Sequence, residues 1–350
     1  MSMKYRDIHS SNNLTSSSEY QERVRLGAKG INRLNELIDW GYFRKELESI
    51  LGYDSRDDSK GGRPPFDPVF MLKVLVLQQF YNLSDAATEE QIEDRFSFMK
   101  FLDLRVGDSI PDQNTIWDFR ESLEAEGRDG TRKLFDLLQK LLKSKGIMAM
   151  EGSIVDASFV EVPRQRNSRE ENKAIKSGER PKSFEKNPSK NRQKDCDARW
   201  VKKNGQNYYG YKNHTKVDAK SKLVIAYTTT SASVHDSQVF EDLVDSQDNA
   251  IFADSAYCSE RTEAYILEHC DAQEFVVFKA QKGKPLTKQE KISNKLRRRI
   301  RVRVEHVYAR MQQLGMDWFR RIGIIRANQH NGICNLVYNL DRYAFLCTLP

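Results

Sequence analysis

The stretch GSIVDASFVEV, residues 152–162, decides the fold, because the periodicity of the sequence changes there. Its β-branched and apolar residues alternate with small and acidic ones, which predicts a strand and not a helix. The pattern returns in YYGYKNHTKV (208–217) and KLVIAYTTT (222–230), with the turn signal DAKS between them. We therefore predict three consecutive strands, with residues 163–203 as a basic, mobile insertion between the first and the second.

Beyond the third strand, short apolar runs alternate with amphipathic segments. We predict buried strands at AIFAD (250–254) and EFVVFKA (274–280), and helices over 235–245, 259–270, 288–314 and 331–346. The predicted fold class of this half is α/β, with a mixed sheet flanked by helices.

The residues before 152 carry helical periodicity instead. A helix is predicted to begin at Pro68, after the turn-rich stretch 54–68, because proline suits the first turn of a helix. Other helices are predicted over 31–51 with an interruption at WGYF (40–43), and over 91–104, 115–123 and 130–145. We expect three parts: a mobile N-terminus at 1–20, an all-α domain at 21–148 and the α/β domain at 149–350.

Length and composition exclude several classes of protein. The 350 residues are 39% hydrophobic, enough for the packed cores of two domains. The longest apolar run, 69–77, contains Lys73 and is far shorter than the roughly 20 residues that span a bilayer. The N-terminus is polar and lacks a secretory signal, and the five cysteines form no CxxC pair. We therefore expect a cytoplasmic protein with reduced thiols, without a membrane segment or a zinc site.

The net charge of +7 conceals a strong asymmetry. Residues 1–150 hold 22 Lys and Arg against 25 Asp and Glu, whereas residues 151–350 hold 35 against 25. The excess is concentrated in 163–203, with 14 basic and 6 acidic residues, and in 279–303, with 11 basic residues and 1 acidic residue. Clusters of this kind are typical of proteins that bind a phosphate backbone, although solvated loops carry them too.

Three carboxylates need an explanation. Asp156 interrupts an apolar strand, and Asp254 ends the run IFAD just before a turn, although aspartate is a poor strand residue. Taken singly, a polar residue at a ladder edge and a solvent-facing strand end are sufficient explanations. Glu305 lies beside the buried stripe of RVRVEHVYARMQQLG (301–315), where a pair with Arg301 on a solvated helix is the simple alternative.

Taken together, the three carboxylates indicate metal chemistry. Two aspartates on strands and a glutamate on a helix, at the end of an α/β domain, are the ligands expected for two Mg²⁺ or Mn²⁺ ions. Two such ions roughly 4 Å apart activate one oxygen and stabilise the leaving oxygen of a phosphodiester. The basic segments around them are then expected to bind the polyanion that is cut.

A series of short motifs runs in order along the chain. In the first half these are LIDW (37–40), GRPPFDP (62–68), DRFSFMKFLDL (94–104) and PDQNTIWDFRESL (111–123). In the second half these are SIVDASFV (153–160), GYKNH (210–214), SVHDS (233–237), FADSAYCS (252–259) and the glutamate stretch 301–315. With these motifs in this order, the sequence from about Leu34 to Leu346 resembles the DDE transposases of bacterial insertion sequences, of the insertion-sequence-five type.

The resemblance implies an RNase H-like catalytic domain in which Asp156, Asp254 and Glu305 are both the catalytic triad and the metal ligands. In this family type the glutamate belongs to the signature Tyr-x2-Arg-x3-Glu-x6-Lys. Arg301 matches the arginine, whereas Arg298 stands at the tyrosine position and Gln312 at the lysine position. These departures leave the triad intact and put in doubt a role in DNA-end binding at position 312.

Further residues are candidates for DNA contact or for support of the site. DNA contact is predicted for Lys212, His214, Arg297, Arg298, Arg301, Arg303, Arg321 and Arg326. Lys212, His214 and Lys216 alternate onto one face of the second strand, which is also consistent with the solvated face of an edge strand. Supporting roles are predicted for His235, Asp236 and Gln312, while Asp236 could instead cap the helix that begins there.

The sequence thus predicts a DNA transposase that recognises terminal inverted repeats, cleaves phosphodiesters with metal-activated water and joins 3′-hydroxyl ends to target DNA. The expected partner is double-stranded DNA, as transposon ends and as target, bound by a homodimer or a higher oligomer. Two alternatives stay open: a domesticated, non-catalytic DNA-binding protein, and a recombinase with a covalent serine or tyrosine nucleophile. The recombinase predicts a protein-linked DNA intermediate.

Overall fold

The computed structural model describes residues 30–53, 63–203, 205–270, 272–280 and 285–348. These residues divide into two compact units, one formed by those up to Ser144 together with those from Leu336 onward, the other by Lys145–Asn335. None of the helices in the described ranges is long and apolar enough to cross a membrane. The predicted mobile segment 1–20 lies outside the described residues.

The first unit is built of helices. They are α1 (Arg33–Leu37), α2 (Arg44–Leu51), α3 (Pro68–Phe80), α4 (Asp85–Asp94), α5 (Phe96–Phe101), α6 (Gln113–Ser122) and α7 (Gly130–Ser144). A 3-10 helix over Trp40–Phe43 forms the predicted interruption between α1 and α2. The helix predicted over 91–104 is instead split between α4 and α5, because Arg95 has an extended backbone.

The start of α3 follows from local chemistry. The Asp67 carboxylate accepts hydrogen bonds from the amides of Val69 (2.8 Å) and Phe70 (3.2 Å), which the helix itself leaves without partners. Pro68 takes the first helical position, where no amide donor is needed. The predicted start at Pro68 is therefore confirmed.

The second unit contains a six-stranded mixed sheet. Its strands are β1 (Ser153–Glu161), β2 (Arg199–Lys203), β3 (Gln206–Asp218), β4 (Val224–Ser231), β5 (Ala250–Ala253) and β6 (Gln273–Val276). The order is β2-β3-β1-β5-β6, and β4 pairs with β3. β1, β3 and β4 are antiparallel neighbours, whereas β5 runs parallel to both β1 and β6. The predicted α/β class is confirmed.

Helices accompany this sheet. They are α8 (Arg169–Lys176), α9 (Lys182–Glu185), α10 (Pro188–Arg192), α11 (Phe240–Leu243), α12 (Glu260–His269), α13 (Lys288–Arg301), α14 (Arg303–Gln313) and α15 (Ile324–Leu346). The helix predicted over 288–314 is two helices, because Val302 separates α13 from α14. The stripe predicted in this stretch consists of Ile300, Val304, Val307, Met311 and Leu314; the last four are buried, whereas Ile300 is half-buried.

The basic segment 163–203 is folded, contrary to the prediction of a mobile insertion. It contains α8, α9, α10 and the strand β2. Ser168 and Glu171 form a capping box at the start of α8, and Glu171 also pairs with Lys190 and Ser183. Phe184 is fully buried. The sequence has few large apolar residues here, which predicts mobility. The capping box, the contacts of Glu171 and the buried Phe184 nevertheless hold the segment in a folded form.

An apolar cluster lies between the parallel part of the sheet and its helices. Its members include Val155 of β1, Ile251 and Ala253 of β5, and Ile266 of α12. Burying these side chains stabilises the fold by roughly 1.5–3 kcal/mol each. The cluster positions the ends of β1 and β5, where two of the predicted carboxylates lie.

Candidate active site

Asp156 and Asp254 lie next to each other at the end of the parallel strand pair. Val155 of β1 pairs with Ala253 of β5, and an aspartate follows each of them. Both aspartates are half-buried. Asp156 pairs with Thr215 of β3 on one side, whereas on the other side the ladder with β5 ends at Val155, so Asp156 lies just beyond the edge of that ladder. The sheet register therefore brings together two carboxylates that are 98 positions apart in the sequence.

The Asp254 carboxylate also has a local role. It accepts a hydrogen bond from the Ser255 amide (2.7 Å) and so caps the 3-10 helix Ser255–Tyr257. The turn ends at Tyr257, which is 1% exposed. Burial, followed by the neighbouring Asp156 carboxylate, raises the pKa of Tyr257 well above its usual value.

Arg301 lies between Asp156 and Glu305. Its Nη1 donates to Asp156 Oδ2 at 2.9 Å, and its Nη2 lies 3.8 Å from Glu305 Oε1. The break at Val302 puts Arg301 in the last turn of α13 and Glu305 in the first turn of α14. The main partner of Arg301 is thus Asp156, so the simple pair of Arg301 with Glu305 does not describe this arginine.

Asp156 is in an environment that disfavours its charge. Burial raises the pKa of this carboxyl, while the hydrogen bond from the Ala157 amide and the charges of Arg301 and Lys203 lower it. The nearby Asp254 raises the pKa further. The net shift is upward, so the surrounding cations only partly offset the cost of desolvating the carboxylate.

Tyr308 also lies near Asp156. Its hydroxyl is 2.9 Å from the hydroxyl of Thr215, which stands opposite Asp156 in the β1–β3 ladder. Burial and the charge of Asp156 raise the pKa of Tyr308 well above its usual value. Neither Tyr308 nor Tyr257 is among the predicted site residues, although Tyr257 stands only three residues after Asp254 in FADSAYCS.

Lys212, His214 and Lys216 do not form a solvated face. β3 is an interior strand, and the three side chains are 6%, 0% and 1% exposed. The interpretation as the wet face of an edge strand is therefore wrong. An alternating polar pattern usually indicates a strand with one face in solvent, but here the polar side chains have partners inside the protein.

Lys212 and His214 surround Asp236. Lys212 Nζ donates to Asp236 Oδ1 (2.7 Å) and to the Val234 carbonyl (2.7 Å). His214 Nδ1 lies 4.0 Å from Asp236 Oδ1, and burial lowers the pKa of His214 to about 4. Lys212 and His214 are thus buried beside Asp236, and the DNA contact predicted for them stays a prediction.

His235, and not Asp236, caps the short helix that begins here. His235 Nδ1 accepts a hydrogen bond from the Ser237 amide (3.3 Å) and caps the 3-10 helix Asp236–Val239. Asp236 is instead the partner of Lys212, so its interpretation as the cap is wrong.

Two stretches of the chain match known protein families. Residues 148–340 match the family described as "Transposase DDE domain", and residues 18–122 match "Transposase domain (DUF772)". The chain belongs to the DDE transposases. The resemblance to that family is confirmed, while the insertion-sequence-five type stays a prediction. No solved structure matches the chain.

Membership of the DDE transposases implies an RNase H-like fold for the second unit and binding to DNA. The sheet agrees with this fold: apart from β2, its order is β4-β3-β1-β5-β6, with three antiparallel strands followed by two parallel ones. DDE transposases generally use divalent metal ions. The triad assignment itself stays a prediction in this member of the family.

The predicted basic residues of this DDE transposase have different fates. Arg298 and Arg303 are exposed. Arg297 donates to the Val276 carbonyl and lies over the Phe278 ring, with 4.0 Å from its guanidinium carbon to the ring centroid. Arg321 Nη1 donates to Gln329 Oε1 (2.6 Å). Arg326 is half-buried, and Gln312 is exposed.

The carboxylates fit a divalent cation in part. Asp156 and Asp254 supply the hard oxygen ligands that Mg²⁺ prefers. Within the described residues, however, no group of three His, Cys, Asp or Glu side chains is gathered closely enough to hold a metal ion. Glu305 is separated from Asp156 by the Arg301 guanidinium.

Proposed function

We propose that this DDE transposase is the transposase of an insertion sequence. It binds the terminal inverted repeats of its element, cleaves phosphodiesters with two divalent ions and joins the 3′-hydroxyl ends to target DNA. We further propose that residues 21–148 bind the ends or form the dimer, and that residues 149–350 carry the catalysis. The observation that carries the proposal is the juxtaposition of Asp156 and Asp254 at the ends of neighbouring strands, inside the matched DDE domain.

Each side chain of the proposed site has a distinct task. Asp156 and Asp254 would hold the cations, and Glu305 would join them once Arg301 leaves Asp156. When bound, the divalent ions would supply an activated oxygen nucleophile and stabilise the leaving oxygen of the phosphodiester. Tyr257, which is buried, and the hydrogen-bonded pair of Thr215 and Tyr308 lie near Asp156 and make its surroundings less polar than water. Arg301, once free of Asp156, is placed to neutralise a phosphate of the bound strand.

The alternatives make different demands on these residues. A covalent tyrosine nucleophile needs an accessible hydroxyl of lowered pKa. Tyr257 and Tyr308, the tyrosines described here beside the carboxylates, have raised pKa values, which argues against them as nucleophiles. A non-catalytic DNA-binding protein is the alternative favoured by the observed pairing of Arg301 with Asp156, since that pairing occupies the carboxylate that a cation needs.

A strand-cleavage assay tests the proposal. Linear duplex DNA carrying the native ends is incubated with the full chain and Mg²⁺ or Mn²⁺, and nicks are mapped on a denaturing gel. We expect metal-dependent nicking that exposes 3′-hydroxyl ends. The variant Asp156→Asn should lose this activity by several orders of magnitude while still binding the duplex. Asp317→Asn, which removes one charge from an exposed position of the same unit, is the matched control and should cleave normally.

The remaining outcomes separate the candidates. Tight binding of the ends without any metal-dependent nicking indicates a non-catalytic protein. DNA that stays attached to the denatured protein, together with survival of activity in Asp156→Asn, indicates a covalent recombinase. Either result would refute the two-metal mechanism.

A further inference from the structure

A basic pocket lies beyond the end of β1, away from the proposed catalytic carboxylates. Its volume is about 320 Å³. Five cations line it: Arg164, Arg166, Lys194, Arg320 and Arg321. The charged lining also includes one carboxylate, that of Asp195. A concave surface lined mainly by one sign of charge concentrates the electrostatic field and attracts counter-charged ligands.

The single carboxylate of this basic pocket is already engaged inside the protein. Asp195 Oδ1 accepts hydrogen bonds from the amides of Asp197 (2.8 Å) and Ala198 (2.9 Å). Asp195 Oδ2 accepts from the Tyr211 hydroxyl (2.6 Å) and the Gly323 amide (3.2 Å). Asp195 is 2% exposed. It therefore anchors the wall of the pocket and forms no salt bridge with the lining cations among the described residues.

Two of the five cations have side chains without a partner among the described residues. Across the described part of the chain, the guanidinium groups of Arg166 and Arg320 have no hydrogen-bond or ion-pair partner, and both side chains are exposed. The others have contacts of their own: Arg164 lies over the Trp200 ring, and Lys194 Nζ donates to the Arg166 carbonyl (2.6 Å). Arg166 and Arg320 are thus the donors available to a ligand.

The pocket is held in shape by its surroundings. Three chain segments meet in it, and backbone hydrogen bonds join two of them: the Glu161 amide donates to the Asp317 carbonyl, and the Phe319 amide donates to the Glu161 carbonyl, each at 2.9 Å. The bonds of Asp195 and Lys194 tie in the third. A preorganised site loses little entropy when a ligand binds.

We propose that the basic pocket binds a phosphate of the DNA backbone outside the cleavage site, with Arg166 and Arg320 as its ligands. The inference rests on the proposed function, since DNA is the polyanion that a transposase holds. Bidentate arginine donors suit phosphate oxygens. The pocket begins at Val162, six positions after Asp156, which on a strand is roughly 20 Å at about 3.3 Å per residue. That distance corresponds to about six base pairs at 3.4 Å per step.

The test measures DNA binding without cleavage. A short fluorescein-labelled duplex is titrated with the full chain in EDTA, by fluorescence anisotropy, at salt concentrations between roughly 50 and 200 mM. The double variant Arg166→Gln/Arg320→Gln is compared with the wild type. The matched control is Arg169→Gln/Arg192→Gln, which removes the same charge from exposed positions of the same basic segment that do not line the pocket.

We expect the pocket variant to bind roughly tenfold more weakly, because charge-assisted hydrogen bonds are lost. Its slope of log affinity against log salt should fall by about 0.9 for each phosphate contact removed. The control should change both quantities much less. Equal weakening in the two variants, or no change in the pocket variant, would overturn the proposal, as would the absence of duplex binding by the wild type.

A second measurement distinguishes DNA from a free anion. Inorganic phosphate is added to the wild type and to the pocket variant, and the melting temperature is followed. If phosphate stabilises only the wild type while both proteins bind the duplex equally, the pocket takes a small anion and the proposal fails. Because these assays need no cleavage, a chain that binds through the pocket and does not nick DNA refutes only the enzymatic function.

Discussion

Replacement of Asp156 by asparagine should stabilise the metal-free protein at neutral pH, although it removes a proposed catalytic group. The carboxylate is buried, and burial raises its pKa more than Arg301, Lys203 and the Ala157 amide lower it. Its charged form therefore destabilises the fold. Asparagine has almost the same shape, but its single oxygen can keep only one of the two hydrogen bonds, from Ala157 to Oδ1 or from Arg301 to Oδ2. The variant therefore loses one hydrogen bond and removes the larger cost of the buried charge.

The expected gain is on the order of 1 kcal/mol, because the Asp156 side chain is still 16% exposed and has a cation at 2.9 Å. For a unit of this size, such a gain raises the melting temperature by roughly 2–4 °C. Active sites often lower the stability of a protein, because the arrangement that catalysis needs is not the most stable one.

The effect should depend on pH in a defined direction. The pKa of Asp156 is higher in the folded than in the unfolded protein, so the penalty is fully present above the folded value. As the pH falls through that value toward the unfolded pKa of about 3.9, the wild type becomes protonated and the penalty disappears. The difference in stability between variant and wild type should thus be largest near neutral pH and should disappear in acid.

The assay is thermal denaturation by calorimetry in EDTA, at neutral pH and in mild acid, with Asp317→Asn as the charge-matched control. We expect Mg²⁺ to stabilise the wild type more than Asp156→Asn, because a ligand that binds only the folded state raises its stability. If Asp156→Asn melts several degrees below the wild type in EDTA at neutral pH, the ion pair with Arg301 is a net stabiliser and our argument about the buried charge is wrong.

Three other substitutions test the packing. Gly210→Ala should destabilise the sheet by about 1–3 kcal/mol, because the backbone has φ +150° and the new Cβ would meet the Val160 carbonyl oxygen at 2.2 Å. Thermal melting followed by circular dichroism measures this loss, and an unchanged melting temperature contradicts it. Phe184→Ala should loosen the segment 163–203 at a cost of about 3–5 kcal/mol, seen as faster tryptic cleavage there than in the wild type; equal cleavage rates refute its role as an anchor. Lys216→Met should lower the free energy of unfolding, measured by urea denaturation, by about 3–5 kcal/mol, because it leaves the fully buried Asp248 without its cation at 3.1 Å. Retention of wild-type stability would show that the pair is dispensable.

Local pattern predicted most elements of the fold correctly. The start of α3 at Pro68, the strands at Asp156 and Asp254 and the buried stripe after Val302 all follow from residues within a few positions of each other. Errors arose where distant residues decide the outcome. The alternating polar side chains of β3 suggested a wet edge, because the sequence does not show that β1 covers one side of this strand and β4 the other.

The same limit applies to the candidate site. The resemblance of the motifs to DDE transposases was sufficient to select Asp156, Asp254 and Glu305 and to expect an RNase H-like domain, and the family and the fold are confirmed. It did not reveal that Arg301 pairs with Asp156, nor that Lys212 and His214 face Asp236. These contacts join residues more than 20 positions apart, and only chain folding brings them together.

Local periodicity and short motifs were enough to predict most of the helices and strands and the family, and they select the three carboxylates as candidates. Only the tertiary structure decided which charges are spent inside the protein and which remain for a ligand. Lys212, Lys216 and Arg297 are engaged in internal contacts, whereas Arg166 and Arg320 remain available in the pocket beyond β1. A charged side chain has the same formula in both settings. Its role depends on desolvation and on its partners, which the sheet register and the packing of the chain create.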